Sequence, residues 1–236
     1  MVKQGFFRRV APGLLAGVVF FLPNGPALSA ADVSLYTVKK GLIFTQSDAG
    51  FPTIDSVNGY AFEARAYQTV TGDITNGLVK FPNSNLWTQL TLSGSQGYWG
   101  VGHKKNKLTT LELACPDGTY QFYLQTLHDG SPQPSLLLAG GAYQQALHIN
   151  NFPALQALNP NGYFMITWDP MSGSSSQDFI RAQVNDAFGN QPIQTPNIEK
   201  EGALDGTATY MVVGPGILVT GQTIHGLGGV PDEHGD

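Results

Sequence analysis

The sequence predicts an all-β protein, two β-sandwich modules in tandem behind a signal peptide, and three observations carry that reading. A basic head (Lys3, Arg8, Arg9), an apolar run from Val10 to Leu22 and a small-residue exit from Pro23 to Ala31 follow one another at the N-terminus. From Val33 onward apolar and polar residues alternate with a period of about 2, not the roughly 3.6 of a helix. Turn pairs built on Gly, Asp, Asn and Pro interrupt the alternation at short, regular intervals, which is the pattern of a sandwich or barrel.

The N-terminal order is that of a secretory signal peptide over residues 1–31. Its apolar run is about 13 residues, short of the roughly 20 that a spanning helix needs. Ala27, Ser29 and Ala31 are small enough for a signal peptidase, so cleavage is expected between Ser29 and Asp32. No cysteine follows the exit to accept a lipid, and the closing GGVPDEHGD has no apolar tail. The mature chain is therefore expected to be secreted or periplasmic, with no membrane span.

Removing Lys3, Arg8 and Arg9 takes the formal charge from −5 to −8. Nucleic acid and anionic membrane are poor partners for such a chain, since both require a basic footprint. A charged fraction of 12%, 29 Gly and 15 Pro suit turns and uncharged polar strand faces, and 42% hydrophobic content is enough for a packed core. Cys115 is the single cysteine, so no internal disulfide forms, and a buried inert thiol is expected.

The first module is expected over 32–141. Val33, Leu35 and Thr37, then Leu42 and Phe44, flank Lys39-Lys40-Gly41 and read as two short strands or one bent strand with a bulge. Tyr60, Phe62, Ala64 and Ala66 alternate with Ala61, Glu63, Arg65 and Tyr67. Further strand runs are Leu78–Phe81, Leu86–Leu92, Tyr98–Val101, Leu108–Leu113, Tyr120–Leu127 and Ser135–Leu138. Gly72-Asp73, Asn76-Gly77, Pro82-Asn83, Asp117-Gly118 and Asp129-Gly130 supply the turns. Ala139-Gly140-Gly141 is the expected boundary.

The second module is expected over 146–236. Phe152–Leu158 is its helical candidate, bracketed by Pro153 and Pro160 to hardly more than a turn. Tyr163–Pro170 and Phe179–Val184 read as strands on either side of the polar stretch Ser172–Gln177, with Asp186–Asn190 as a turn. The strand carrying Trp168 and closed by Pro170, the loop, and the alternating strand after it resemble the B and C strands of a fibronectin type III or related immunoglobulin-like sandwich. Leu204–Thr207 with Tyr210–Val213, and Pro215-Gly216 before Ile217–Ile224, are similar to its E and F strands. The resemblance implies immunoglobulin-like modules and places Trp168 in the core. It departs from the family in lacking a clear F-strand tyrosine and a last strand after Ile224, which leaves an open sheet edge and a route to self-association.

No constellation in the sequence specifies a reaction. His103, His128, His148, His225 and His234 show no H-x-H or H-E-x-x-H spacing, so no metal site is expected. His128-Asp129 reads as turn chemistry, because adjacent strand residues point apart. Ser93-Gly94-Ser95-Gln96-Gly97 lacks the first glycine of a nucleophile elbow, and Gly97–Lys104 lacks the ending of a phosphate loop. Asp169, Asp178, Asp186 and Asp205 stand near strand ends, where turn capping is the expected role and Ca²⁺ binding the other reading. Trp99, Tyr98 and Trp87 are the candidate ligand-binding residues, since exposed flat rings stack on sugars or on a partner's hot spot. Trp87 also suits a core, and Trp99 suits either place. The expectation is an exported non-catalytic binding or structural protein without a cofactor, its partner a carbohydrate or another envelope protein. The rival is a secreted hydrolase or lyase acting on a polysaccharide.

Overall fold

In the computed structural model, residues 2–8, 31–94, 97–139, 146–170, 172, 176, 178–186, 192–196, 200–217 and 224–225 are described. The first part comprises β1 (Val2–Arg8), β2 (Val33–Gln46), β3 (Thr53–Ile54), β4 (Tyr60–Gln68), β5 (Ile74–Lys80), β6 (Trp87–Gln89), β7 (Thr91–Ser93), β8 (Tyr98–Lys105), α1 (Leu108–Ala114), β9 (Gly118–Thr126) and β10 (Ser135–Leu138). The second comprises α2 (Phe152–Leu155), β11 (Phe164–Thr167), β12 (Asp178–Asp186), β13 (Ile193–Gln194), β14 (Leu204–Asp205), β15 (Tyr210–Val213) and β16 (Ile224–His225). The fold is predominantly β, in antiparallel sheets.

The large sheet runs β13-β12-β1-β2-β4-β8-β7, with β3 beside β2 and with β14 and β16 beside β12. A four-stranded sheet, β10-β9-β5-β6, and a two-stranded sheet, β11-β15, complete the architecture. Alternation builds two large cores, beside a smaller cluster of Ile43, Ala61 and Phe179. Phe62, Ala64 and Ala66 of β4 and Val38 of β2 pack on Val79, Tyr120, Phe122 and Leu124 of the four-stranded sheet. Ile180, Ala182 and Val184 of β12 pack on Ile166, Trp168, Met211 and Val213. Trp168 is 2% exposed and its indole N–H donates to the Ala208 carbonyl at 2.7 Å, so the ring is buried with its polar atom satisfied.

Register places both cores on one side of the large sheet, since Ala182 aligns with Gln4 and Gln4 with Phe44. The other side receives Thr37, Lys39 and Ile43 of β2, Glu63, Arg65 and Tyr67 of β4, and Phe179 and Arg181 of β12. These residues are buried too.

Several expectations change. Lys39-Lys40-Gly41 is no break: β2 is one strand of 14 residues, and its irregularity lies at Val33/Leu35. Leu108–Ala114 is a helix and not a strand, because Leu111 and Cys115 fall one turn apart, linked by Cys115 N–H to the Leu111 carbonyl at 2.7 Å, and drop together into the first core. Asn76-Gly77 is no turn but lies within β5. A Cβ on Gly77 would sit 3.0 Å from the Leu124 and Leu90 side chains, so the glycine permits close packing there. Gly72 and Gly130 do lie in connections at positive φ, and Gly118, also at positive φ, opens β9.

Backbone pairing and side-chain hydrogen bonds link the two parts. β1, whose residues the sequence assigns to the signal peptide, pairs with β12 from Val2↔Val184 to Arg8↔Asp178 and with β2 from Val2↔Gln46 to Gly5↔Ile43. Residues 9–30, the boundary glycines 140 and 141 and the segment 218–223 lie outside the described residues. Further links cross between the parts: the Gln46 side chain donates to and accepts from the Ile149 backbone, at 3.1 and 2.8 Å.

Candidate functional site

The three aromatics singled out by the sequence are not brought together. Tyr98 is buried on the polar side of the large sheet, edge-on to Tyr67 at 5.3 Å, with the Arg65 guanidinium 4.2 Å above its ring. Trp99, next on β8, faces the opposite way and packs against the first core. Trp87 lies on β6 with 42% of its surface exposed, on the outer face of the four-stranded sheet.

That outer face is built by alternation along its strands. On β9, Tyr120, Phe122 and Leu124 point inward and Thr119, Gln121, Tyr123 and Gln125 outward, so strict alternation makes one dry face and one wet one. Pairing of β5 with β6 and β9 sets Lys80 between Trp87 and Gln121, Leu78 between Gln89 and Tyr123, and Asn76 opposite Gln125. The Trp87 and Tyr123 rings meet edge to face, 6.2 Å apart at 63°. The Gln89 amide donates to Asn76 Oδ1 and the Gly77 carbonyl, both at 2.9 Å, which fixes its orientation. The result is a strand face carrying two rings set at a steep angle to each other and bordered by amides, with Lys80 its one charge among these residues. Tyr123 is the partner the sequence reading missed, because only the β6-β5-β9 order brings it to Trp87.

Beneath the opposite surface lies a buried ionic group. Arg65 Nη2 donates to Glu63 Oε1 at 2.6 Å, Arg65 Nη1 donates to the Tyr67 hydroxyl at 3.3 Å, and Lys39 Nζ sits 3.0 Å from Glu63 Oε2. Burial by itself would raise the Glu63 carboxyl, but Arg65 and Lys39 hold it down to about 2. Burial also draws the Lys39 ammonium down to about 8, so Arg65 is the firm counter-charge. Enclosed and paired, Glu63 braces the sheet and offers no proton to a substrate.

A second polar knot joins the start of β2 to the β9–β10 turn. Asp32 Oδ2 accepts from the backbone N–H groups of His128 and Asp129 at 2.6 and 3.0 Å, and its Oδ1 is 2.7 Å from His128 Nδ1. The Asp32 N–H donates to Asp129 Oδ2 at 2.7 Å. Burial pushes the Asp32 carboxyl up, and the His128 and Asp129 hydrogen bonds outweigh it to bring the group to about 2, while Asp32 raises the His128 imidazole. Among the described residues, Asp32, Asp73 and His128 form the one group of potential metal ligands within 4.8 Å of one another. Because the imidazole and two N–H groups already engage the Asp32 oxygens, an entering metal would have to displace His128.

The other candidates are dispersed. His148 Nδ1 lies 2.9 Å from Asp169 Oδ2 and its Nε2 lies 3.1 Å from the Ala49 carbonyl, tying the two parts together. Asp205 caps its own turn through Thr207 N–H at 2.8 Å. His103 packs against Phe62 and Phe81. Ser95 and His234 lie outside the described residues, as do the side chains of Asp186 and His225. A groove of about 470 Å³ between β13 and β15 is lined by Ile193, Pro196, Leu204, Tyr210 and Val212 and is mostly apolar.

No family model matches the chain, and no similar curated protein or solved structure is found. Among the described residues, no helix is long and apolar enough to cross a membrane.

Proposed function

We propose that the chain is an exported, non-catalytic β-sandwich protein of the cell envelope or exterior, and that it binds a neutral carbohydrate polymer on the outer face of its four-stranded sheet. The pair of exposed Trp87 and half-buried Tyr123, set on the outer strand face among Gln89, Gln121, Gln125 and Asn76, carries this reading. Ring faces cover the apolar faces of pyranose rings at little entropic cost, and fixed amides both donate to and accept from sugar hydroxyls. A surface with a single lysine favours a neutral chain over an acidic one.

Export is supported by the basic head, the short apolar run and the small-residue exit. Processing at that exit would remove β1 as well, leaving β2 and β12 either to close on each other or to accept another strand. The immunoglobulin-like reading of the second module is supported by β11 pairing with β15 while β12 belongs to the other sheet, with Trp168 packed between them.

Affinity electrophoresis through gels carrying neutral polysaccharides tests the binding reading. The wild type should be retarded by at least one of them, and Trp87→Ala should bind about tenfold more weakly, a loss of about 1.4 kcal/mol, with an unchanged circular dichroism spectrum. Retardation that survives both Trp87→Ala and Tyr123→Ala, or none with any neutral glycan, would sink it.

A further inference from the structure

Asp32 is the point at which the chain enters the fold. Ala31 is exposed, whereas Asp32 is 1% exposed and fixed through its carboxylate, its N–H and its carbonyl, the last accepting from Thr69 N–H at 3.0 Å. The carboxylates of Asp32 and Asp73 gather here around the His128 imidazole, and Asp129 adds a third carboxylate on the Asp32 N–H. Among the described residues no lysine or arginine forms an ion pair with any of the three. The knot holds more negative charge than positive, since it has three carboxylates and one imidazole. Independently, the sequence carries small residues at the last and third-last positions before the Ala31–Asp32 bond, Ala31 and Ser29, as a signal peptidase requires.

We infer that the export peptidase cuts the Ala31–Asp32 bond and that the α-ammonium so released is a cation for this knot, seated on the Asp129 carboxylate. Water adds to the Ala31 carbonyl carbon and the bond to the Asp32 nitrogen breaks. Ala31 leaves as a carboxylate and the nitrogen becomes an ammonium, with no net proton released. The nitrogen already stands 2.7 Å from Asp129 Oδ2, so the ion pair forms without movement. A cut after Ser29 or Ala30 would leave the new terminus on the exposed stub before Asp32, and the carboxylates would keep their deficit. Maturation thereby supplies the knot with a counter-charge in the same cut that removes β1. The inference rests on the export reading and is independent of the carbohydrate reading.

The test uses the full chain produced in a bacterium that exports it. The exported product is sequenced from its N-terminus, and its α-amine is acylated at neutral pH with and without denaturant. The first residue should be Asp32, and the native amine should react at least about tenfold more slowly than the unfolded one, because acylation needs a neutral amine and the carboxylate holds the proton on. Asp129→Asn should abolish most of that protection. A product beginning at Ala30 or Ala31 overturns the inference and leaves export standing, whereas one retaining Met1 overturns both. An Asp32 amine that reacts equally fast native and unfolded overturns the ammonium seat.

Discussion

Replacing Glu63 by Gln should be among the most damaging single substitutions, although it changes little in shape. Glu63 is 5% exposed, and Arg65 and Lys39, the cations on its two oxygens, are equally enclosed. Removing one member of a buried ion pair strands its partners without compensation and costs about 3–5 kcal/mol. The carboxyl gives a similar figure, since a drop from 4.5 to about 2 corresponds to about 3 kcal/mol. For a chain of this length that means a melting point lower by about 10 °C. Urea unfolding followed by tryptophan fluorescence measures the loss. A pH series adds a signature specific to this residue. A carboxyl depressed in the folded state contributes stability above its ordinary value and loses it as the pH falls toward the folded one. The wild type should therefore weaken between about 4.5 and 2 while the variant's profile flattens there. A loss under about 1 kcal/mol with an unaltered acid limb would refute the claim that Glu63 holds the two cations in place.

Trp168→Ala should cost about 3–5 kcal/mol, the usual range for emptying a buried large aromatic site, and should weaken near-ultraviolet dichroism. Cys115 is buried and burial pushes its thiol up to about 12, so a disulfide reagent should modify it only on unfolding. The His148 ring should titrate above its ordinary value, because Asp169 and the Ala49 carbonyl both accept from it, and Asp169→Asn should lower that value in an NMR titration. That pair's contribution is complete below about 6.5, fades as the pH rises through the raised His148 value, and is lost again in acid as Asp169 protonates.

The cores were legible because a strand with one dry face writes its burial into every second residue, as Tyr120, Phe122 and Leu124 show. The helix at Leu108–Ala114 was not, since Thr109 and Thr110 are β-branched and the segment is too short for a 3.6-residue period to emerge. Nor was the partner of His128. The ring faces Asp32, 96 residues away, and only closure of the fold brings them together. The face around Trp87 and Tyr123 needed sheet order, which alternation leaves unspecified. The burial of Glu63 and Arg65 was not legible either, because period alone cannot tell a wet face from one whose charges pair with each other.

The adjacent lysines of β2 do more than neutralise acids. Lys39 meets Glu63 on one side of the strand, and Lys40 meets Glu112 and Asp117 on the other at 2.7 and 2.8 Å. Sliding β2 by one residue moves one lysine into the other's seat and the second into the place of Val38 or Gly41, so one set of carboxylates always goes unanswered. A long strand of alternating small and apolar residues has many near-equivalent alignments with its neighbours, and hydrophobic contact alone separates them weakly. The lysine pair works as a two-sided key that turns in one alignment only.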